Sequence, residues 1–355
     1  MNHVWRATAM AAIVSMTVTS CSLVGGGDDE ETGGGGGREK VVLVVHDSFA
    51  LPDELVADFE KKNDLTLEVR KSGDAGELTN KLVLTKSDPV GDVVFGVDNA
   101  FASRALDEGV FTPADVDLPA GAEAYDLPGD DDHALVPVDN GNVCVNVDDT
   151  YFAKKKIDPP KSLEDLTDPR YRDLFVTPSA ATSSPGLAFL LATIAEYGDD
   201  WPAYWERLMD NGTRIASSWT DAYQVDFTQG GGAGDRPIVT SYDSSPAFTV
   251  PEGGTTSTTS ALLDTCFLQV EYAGTLAGGD NPEGAAKVLA WLVSPEVQAA
   301  LPDSMYVFPV ADGVELPEAW ATFAKRPTAP KAVDPDEVTE QRDTWLREWT
   351  DLTTR

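Results

Sequence analysis

Residues 40–71 read KVVLVVHDSFALPDELVADFEKKNDLTLEVRK, and this stretch decides the fold class. Its first apolar run, Val41–Val45, is rich in β-branched residues and predicts a buried strand. Apolar residues then recur at helical spacing over Pro52–Lys62 and alternate over residues 65–69, which predicts a helix and a second strand. A strand, a helix and a strand in this order are typical of an α/β fold with a parallel core.

The same alternation continues along the rest of the chain. Further strands are predicted at Asp92–Val97, Ala134–Val138 and Val143–Val147. Further helices are predicted at Gly76–Leu84, Ala100–Leu106, Leu187–Tyr197, Trp201–Met209, Asp221–Phe227, Gly284–Val293 and Asp336–Leu352.

The body that begins at Lys40 is longer than one hydrophobic core usually supports, which favours two lobes. The expected crossings between the lobes are Pro137–Gly141 and Val250–Phe267. Lobe 1 is then predicted to hold residues 40–137 and 267–312, and lobe 2 residues 138–266, while residues 313–355 form a C-terminal helical segment that packs on the lobes. Strand ends from both lobes meet between them, so a ligand cleft is expected there.

The first 20 residues are typical of a bacterial lipoprotein signal peptide. Arg6 precedes the apolar run Ala7–Val18, which is far shorter than the ~20 residues that span a bilayer. Small residues before Cys21 predict cleavage there and attachment of diacylglycerol, whose two chains give stable anchoring. An ordinary secretory signal with a chance cysteine is the alternative. Residues 21–39 are mostly glycine and acid and predict a flexible tether, which places the body at the outer face of the cytoplasmic membrane.

The chain is strongly acidic, with a formal net charge of -34. Such a surface repels nucleic acid and raises the local concentration of cations, so a cationic small molecule is a more natural guest than an anion. A surface adapted for solubility in a salty environment is the alternative explanation of the charge.

Signatures of the common catalytic and metal sites are missing from the sequence. It contains no CxxC, HExxH, GxSxG or Walker-type glycine loop, and no cofactor is expected. Only His46 and His133 remain after signal cleavage, which argues against a histidine-rich metal site. Cys144 and Cys266 are the other cysteines, and in an exported chain we expect them to form a disulfide, with two buried free thiols as the alternative.

Seven short segments together resemble the thiamine-binding subunits of ABC importers. These importers use proteins of the two-lobed, type II periplasmic binding-protein class, which also holds iron, polyamine and sulfate binders. The segments occur in the same order as in that family: His46–Phe49, Gly96–Asn99, Val136–Gly141, Thr182–Leu187, Trp219–Tyr223, Ser241–Phe248 and Gln341–Trp349.

The resemblance implies a monomeric solute-binding protein that captures thiamine or a thiamine phosphate and delivers it to an ABC importer permease. It implies ring partners for the ligand at Trp219, Tyr242 and Tyr306, and also at Tyr223, and it places His46 at a ligand-binding position. Thiamine carries a thiazolium cation, which is stabilised over aromatic faces, and an amine that needs an acceptor. The remaining positions carried over are an acceptor pair and two hydroxyls ahead of a helix, namely Asp98, Asn99, Ser183 and Ser184.

Three positions depart from the family's pattern. His46 stands where the family usually has tyrosine, Tyr306 where it has tryptophan, and Phe248 where tyrosine is expected. His46 and Tyr306 keep a flat ring, but His46 also introduces a group that becomes cationic near neutral pH and would oppose a cationic ligand.

Structural roles compete with several of these functional roles. Asp98 precedes a predicted helix and fits an N-cap, Trp219 fits a core tryptophan, and Asp139 and Asp243 fit turn residues. Five other tryptophans in helical settings are assigned to packing: Trp201, Trp205, Trp291, Trp345 and Trp349.

Two other functions remain open from the sequence. An enzyme of the cysteine-dependent thiaminase type needs a free nucleophile beside a carboxylate, and Cys144 with Glu271 is the pair available. A binding protein of the same fold for ferric iron or a polyamine is the second, since polyamines suit the acidic charge.

Overall fold

The computed structural model describes residues 38–354. The predicted signal peptide, Cys21 and nearly all of the predicted tether lie outside these residues. Within residues 38–354, no helix is long and apolar enough to span a bilayer.

In the described part of the chain, ten strands form one mixed sheet with the order β2-β1-β3-β9-β5-β8-β6-β7, while β4 pairs with β9 and β10 with β5. The strands are β1 (Glu39–Val45), β2 (Leu65–Lys71), β3 (Val93–Asp98), β4 (Phe111–Thr112), β5 (Val136–Asp148), β6 (Phe175–Pro178), β7 (Arg214–Ala216), β8 (Ile238–Tyr242), β9 (Thr259–Leu276) and β10 (Phe308–Pro309). The groups β2-β1-β3 and β7-β6-β8 are parallel, and β5 and β9 run antiparallel to their neighbours.

Helices cover both parallel groups of strands. They are α1 (Asp53–Asn63), α2 (Ala75–Leu84), α3 (Ala102–Asp107), α4 (Asp149–Lys155), α5 (Ser184–Tyr197), α6 (Trp201–Asp210), α7 (Ser245–Phe248), α8 (Pro282–Leu292), α9 (Pro295–Ser304), α10 (Glu318–Phe323) and α11 (Pro335–Thr353). The predicted helix Asp221–Phe227 is a π-helix, Asp221–Asp226.

Large hydrophobic clusters form the cores of the two lobes, and the lobe 2 cluster extends to residues 100 and 101 of lobe 1. In lobe 1, the strands β1 and β3 bury Leu43 and Phe95 against α8 and α9 on one face, and Val44 against Leu78 of α2 on the other. In lobe 2, a large cluster is built around α5 and α6. The C-terminal helix α11 belongs to the lobe 2 cluster, where it buries apolar residues at helical spacing, among them Trp345 and Trp349.

The lobes are joined by two long paired strands, β5 and β9, rather than by loops. The sequence predicted two strands separated by a crossing at Pro137–Gly141, and this was wrong, because β5 runs without a break from Val136 to Asp148. The polar residues that suggest a break find partners far away in the chain. Asn140, for example, donates its side-chain amide to the carbonyl oxygens of Phe308 and Pro309 at 3.3 Å. The ladder instead bends by shifting register between Pro137 and Asp139.

The return crossing is also a strand. The predicted segment Val250–Phe267 contains the start of β9, which begins at Thr259 and continues to Leu276. A disulfide joins Cys144 of β5 to Cys266 of β9, with Cα atoms 4.2 Å apart and a separation of 122 positions in sequence. The two strands are thereby covalently tied on the lobe 2 side of the crossing.

Candidate functional site

A cavity of about 470 Å³ lies between the lobes, with walls from both lobes and a floor that includes β9. Its volume falls within the range of roughly 300–1,000 Å³ that is usual for small-molecule sites. Six of the nine predicted ligand residues line it: His46, Ser184, Trp219, Tyr223, Tyr242 and Tyr306.

Lobe 2 contributes an aromatic wall, formed by Trp219, Tyr223 and Tyr242. Trp219 stacks on Tyr223 with ring centroids 5.1 Å apart and planes 12° apart, and Tyr242 meets Trp219 edge-on at 6.1 Å. The Trp219 indole N–H donates to Ser241 Oγ at 3.1 Å, which fixes the ring orientation. Trp219 is only half-buried and packs at the edge of a small satellite cluster, apart from the main lobe 2 core. Its position is that of a cleft wall with one face open to a guest.

Two further rings, Tyr306 and Phe248, lie at the side of the cavity. Their centroids are 4.2 Å apart, and Phe248 is 49% exposed. Tyr306 has a φ of 60°, which is rare for a bulky residue, and its carbonyl accepts a hydrogen bond from Ser244 Oγ at 2.6 Å. The strained backbone is therefore held from lobe 2, which suits a residue whose side chain must point at a ligand.

Titratable side chains lie at the opposite side of the cavity. His46 follows β1 and lies with its Nε2 3.5 Å from Glu271 Oε1 on β9. Asp139 of β5 and Asp98 of β3 are the cross-strand neighbours of Glu271 on either side. Burial raises the pKa of Asp98 to about 6, against hydrogen bonds from Ser184 and two backbone N–H groups that lower it. Burial and the adjacent Glu271 raise the pKa of Asp139 well above its usual range.

Asp74 connects the two sides of the cavity. It is the N-cap of α2, where one carboxyl oxygen accepts the Ala75 N–H, and its other oxygen accepts the Trp219 backbone N–H at 2.9 Å. The N–H of Gly76, in the first turn of α2, donates to the Thr182 carbonyl of lobe 2 at 3.0 Å. A Cβ on Gly76 would lie 2.8 Å from that carbonyl, so only glycine permits this approach. The lobes thus touch at the rim of the cleft.

The other three predicted residues, Asp98, Asn99 and Ser183, do not line the cavity. Asp98 is 1% exposed and accepts the N–H groups of residues 100 and 101, which is the capping role given as its alternative. Asn99 bonds the backbone of β9 at residues 268 and 270. Ser183 is fully buried at the N-cap position of α5. These residues support the cleft from behind, because their polar atoms are directed into the fold.

Sequence reasoning missed Asp74 as a cleft residue and considered Glu271 only as a possible catalytic base. A signal for Glu271 was present, since Gln269 and Glu271 are polar residues at alternate positions of an otherwise apolar strand and so share one face. Asp74 before Ala-Gly-Glu fits a helix N-cap. Nothing local in the sequence shows that its second oxygen reaches lobe 2.

The pair proposed for a thiaminase-type enzyme is not brought together as that chemistry requires. Glu271 lines the cavity, whereas Cys144 is bound in the disulfide and does not line it. Among residues 38–354, no group of three or more His, Cys, Asp or Glu side chains is arranged to hold a metal ion.

A family model described as bacterial extracellular solute-binding protein matches residues 54–330 of the chain. The chain belongs to this family. Two relatives, each named thiamine-binding periplasmic protein, are 32% identical to this solute-binding protein. The one from Escherichia coli strain K12 aligns over 87% of this chain and 92% of its own length, and the one from Brucella melitensis biotype 1 over 84% and 86%.

Solved structures agree with that assignment. A periplasmic thiamin binding protein superposes with a TM-score of 0.77 at 30% identity and covers 90% of this chain and 97% of its own. Iron-bound HitA from Pseudomonas aeruginosa superposes at 0.68 with 19% identity, covering 88% and 99%, which shows a shared fold alone. The predicted fold class, two-lobed and type II with two crossovers, is confirmed. This solute-binding protein is a binding protein and not an enzyme.

Proposed function

We propose that this solute-binding protein captures thiamine, or a phosphate ester of it, outside the cytoplasm and delivers it to an ABC importer. The observation that carries the proposal is the pairing, across one cavity, of the aromatic wall with buried carboxyl groups. An aromatic face gains about 0.5–2 kcal/mol from a cation placed over it. The carboxylates supply acceptors for an aminopyrimidine amine. The thiamine-binding relatives support the same ligand.

A phosphate ester has a suitable place at the N-terminus of α5. Ser184, the first residue of this 14-residue helix, lines the cavity with Pro185. Backbone N–H groups at a helix N-terminus and a hydroxyl beside them favour anionic oxygens. The phosphate would then lie on the lobe 2 side of the cavity.

Transport requires a closed form that the permease can recognise. Asp74 and Gly76 of lobe 1 already bond to lobe 2 at the rim of the cleft, and β5 with β9 provides the connection about which the lobes move. A ligand that contacts both walls stabilises the closed form, so affinity and closure come from the same contacts. We propose that the protein acts as a monomer.

The anchor is part of the same proposal. Lipidation of Cys21 would hold the body near the permease through the tether of residues 21–39. Cys21→Ser should release the protein from the membrane fraction into the soluble one, because no acyl chain could be attached. A Cys21→Ser protein that stays with membranes would place the anchor elsewhere.

Mass spectrometry of small molecules released from freshly purified protein tests the ligand. We expect thiamine or a thiamine phosphate at up to one molecule per chain. Ferric iron or a polyamine in its place would contradict the proposal and support the alternatives that the fold also permits. Incubating thiamine with the protein and a competing nucleophile should leave thiamine intact.

A further inference from the structure

Three titratable groups on three different elements meet at the floor of the cleft. His46 follows β1, Glu271 lies on β9 and Asp139 on β5, and they are 6%, 6% and 1% exposed. His46 Nε2 lies 3.5 Å from Glu271 Oε1, and Gln269 Nε2 donates to the same oxygen at 3.4 Å. His46 and Glu271 line the cavity, while Asp139 lies behind them.

Asp139 and Glu271 are buried carboxyl groups at neighbouring positions of β5 and β9. Neither oxygen of Asp139 has an N–H or O–H donor among the described residues, and its neighbour across the strands is Glu271, another carboxyl group. Two adjacent buried carboxyl groups do not both ionise, because each charge opposes the other in a poorly solvated site. Burial and the adjacent Glu271 therefore favour the neutral form of Asp139 by raising its pKa well above the usual range. Glu271 is the carboxyl group of this pair that lines the cavity and faces His46.

The His46 ring is fixed in place opposite that charge. A Cβ on Gly96 would lie 2.2 Å from His46 Cδ2, so only glycine leaves room for the ring, which packs against Phe95 at 5.5 Å. Burial disfavours its imidazolium form, Glu271 and Asp74 favour it, and Lys71 opposes it, with the result that the pKa of His46 is raised. Across the cavity, lobe 2 presents uncharged rings. The 3.5 Å pairing with Glu271 thus favours the imidazolium form of His46 in the ligand-free protein.

We propose that His46 is a specificity-determining residue, which releases its proton when a cationic guest enters the cleft and so leaves the charge of Glu271 to the guest. This inference rests on the proposed function. A guest cation within ~4–6 Å of the imidazolium would repel it. The proton leaves His46 for solvent, neutral imidazole remains, and the net charge of the floor falls by one. A neutral or anionic guest would gain nothing from this release.

The sign of the pH dependence follows from proton release. Because binding expels a proton, affinity falls as pH falls through the His46 titration, by at most about ten-fold per pH unit for one proton. Above that titration His46 is already neutral, and affinity should not change through this group. The neighbouring carboxyl groups Asp74, Asp98 and Asp139 could also titrate, so the test must observe His46 itself.

The test is NMR titration of the histidine Cε1–H resonances of the soluble mature protein, without and with saturating thiamine. His46 and the exposed His133 are the histidines of the described residues, which gives an internal control. We expect the midpoint of His46 to fall by about one pH unit or more, which means about ten-fold weaker binding to the protonated form, while that of His133 stays fixed.

The other possible results distinguish failure of this inference from failure of the proposed function. A His46 midpoint that stays or rises, while tryptophan indole resonances respond to thiamine, overturns the inference alone. No thiamine response in any resonance overturns the proposed function and the inference with it. Calorimetry in buffers of different ionisation enthalpy gives the second measurement, in which proton release seen for the parent should be absent in His46→Gln. Release that persists in His46→Gln assigns the proton to a carboxyl group and contradicts the proposal.

Discussion

Trp219, Tyr223 and Tyr242 give the lobe 2 side of the cleft three ring faces, whereas the side formed by lobe 1 and β9 presents His46, Asp74 and Glu271. The rings offer contact area and an electrostatic preference for cations that varies little with pH. The side with titratable groups offers hydrogen-bond acceptors, and its net charge depends on whether His46 is protonated. The aromatic side therefore sets how tightly a flat cation is held. The side with His46, Asp74 and Glu271 sets which charge and which hydrogen-bonding pattern the ligand must have.

The two sides also differ in what supports them. Trp219 packs at the edge of a satellite cluster, so the lobe 2 core does not depend on it. His46, Glu271 and Asp139 are buried in the junction between β3, β5 and β9, where removing one group changes the protonation of the others. We therefore expect substitutions in the aromatic wall to change ligand affinity but not the stability of the fold. Substitutions at the floor should change both the ligand affinity and its pH dependence.

Trp219→Ala should have the largest effect on binding. It removes a stacking and cation-π face together with buried area, and we expect thiamine affinity to fall by about 30- to 1,000-fold, or about 2–4 kcal/mol. The backbone N–H that bonds Asp74 is kept. Calorimetry with thiamine measures the affinity, and a thermal melt should stay close to that of the parent.

Trp205→Ala is the matched control for Trp219→Ala. Trp205 is 0% exposed in the main lobe 2 cluster, and its indole N–H donates to Thr193 Oγ1 at 2.9 Å. Its loss should cost about 3–5 kcal/mol of unfolding free energy and leave the affinity of the folded fraction unchanged. If Trp219→Ala loses as much thermal stability as Trp205→Ala, Trp219 is a packing residue and does not belong to the ligand-binding wall.

Glu271→Gln should have the next largest effect, because it removes the charge of the floor and keeps the shape. A hydrogen bond to a charged group contributes about 1.5–3 kcal/mol, so we expect thiamine affinity to fall by about 10- to 100-fold. The remaining affinity should lose its dependence on pH near the His46 titration. Titration calorimetry at several pH values measures both.

Asp243→Asn is the control for a buried acid outside the cavity. Asp243 is fully buried and accepts the backbone and side-chain N–H groups of Asn142 at 3.1 and 2.7 Å. This substitution should lower the melting temperature with little change in affinity. An equal loss of affinity in both variants would mean that Glu271 acts through the fold and not on the ligand.

Asp74→Asn should have the smallest effect of the three. An amide oxygen can accept from only one of the Ala75 and Trp219 N–H groups in this geometry, so one link of about 0.5–1.5 kcal/mol is weakened. We expect affinity to fall by about 2- to 10-fold, because the closed form is less favoured. Ser48→Ala, which removes a 3.4 Å contact to Thr220 across the same rim, should change affinity by less than about two-fold.

The strands and helices were predictable wherever local pattern and tertiary role agree. The apolar run Val41–Val45 is buried on both faces and forms β1 as expected, and the predicted helix Leu187–Tyr197 lies within α5. The prediction of a break between two strands at Pro137–Gly141 was wrong. There the polar and glycine residues are typical of a loop, but Asn140 and Asp139 are held within a strand by partners more than 100 residues away.

The residues of the candidate site were only partly predictable from the sequence. The family resemblance indicated the rings, and those rings do line the cavity. It also indicated Asp98, whose carboxyl caps residues 100 and 101, whereas Glu271, one strand away, lines the cavity. Which of several neighbouring acids faces the cleft is set by strand register, and register depends on pairings that a single sequence does not show.

The most direct test of the account is a calorimetric titration of the soluble, ligand-stripped protein with thiamine, with ferric citrate and spermidine as competitors. The account predicts binding of one thiamine per chain, which neither competitor displaces and which weakens on acidification through the titration of His46. Absence of thiamine binding at every pH, or displacement of thiamine by spermidine or iron at equal concentration, would contradict it.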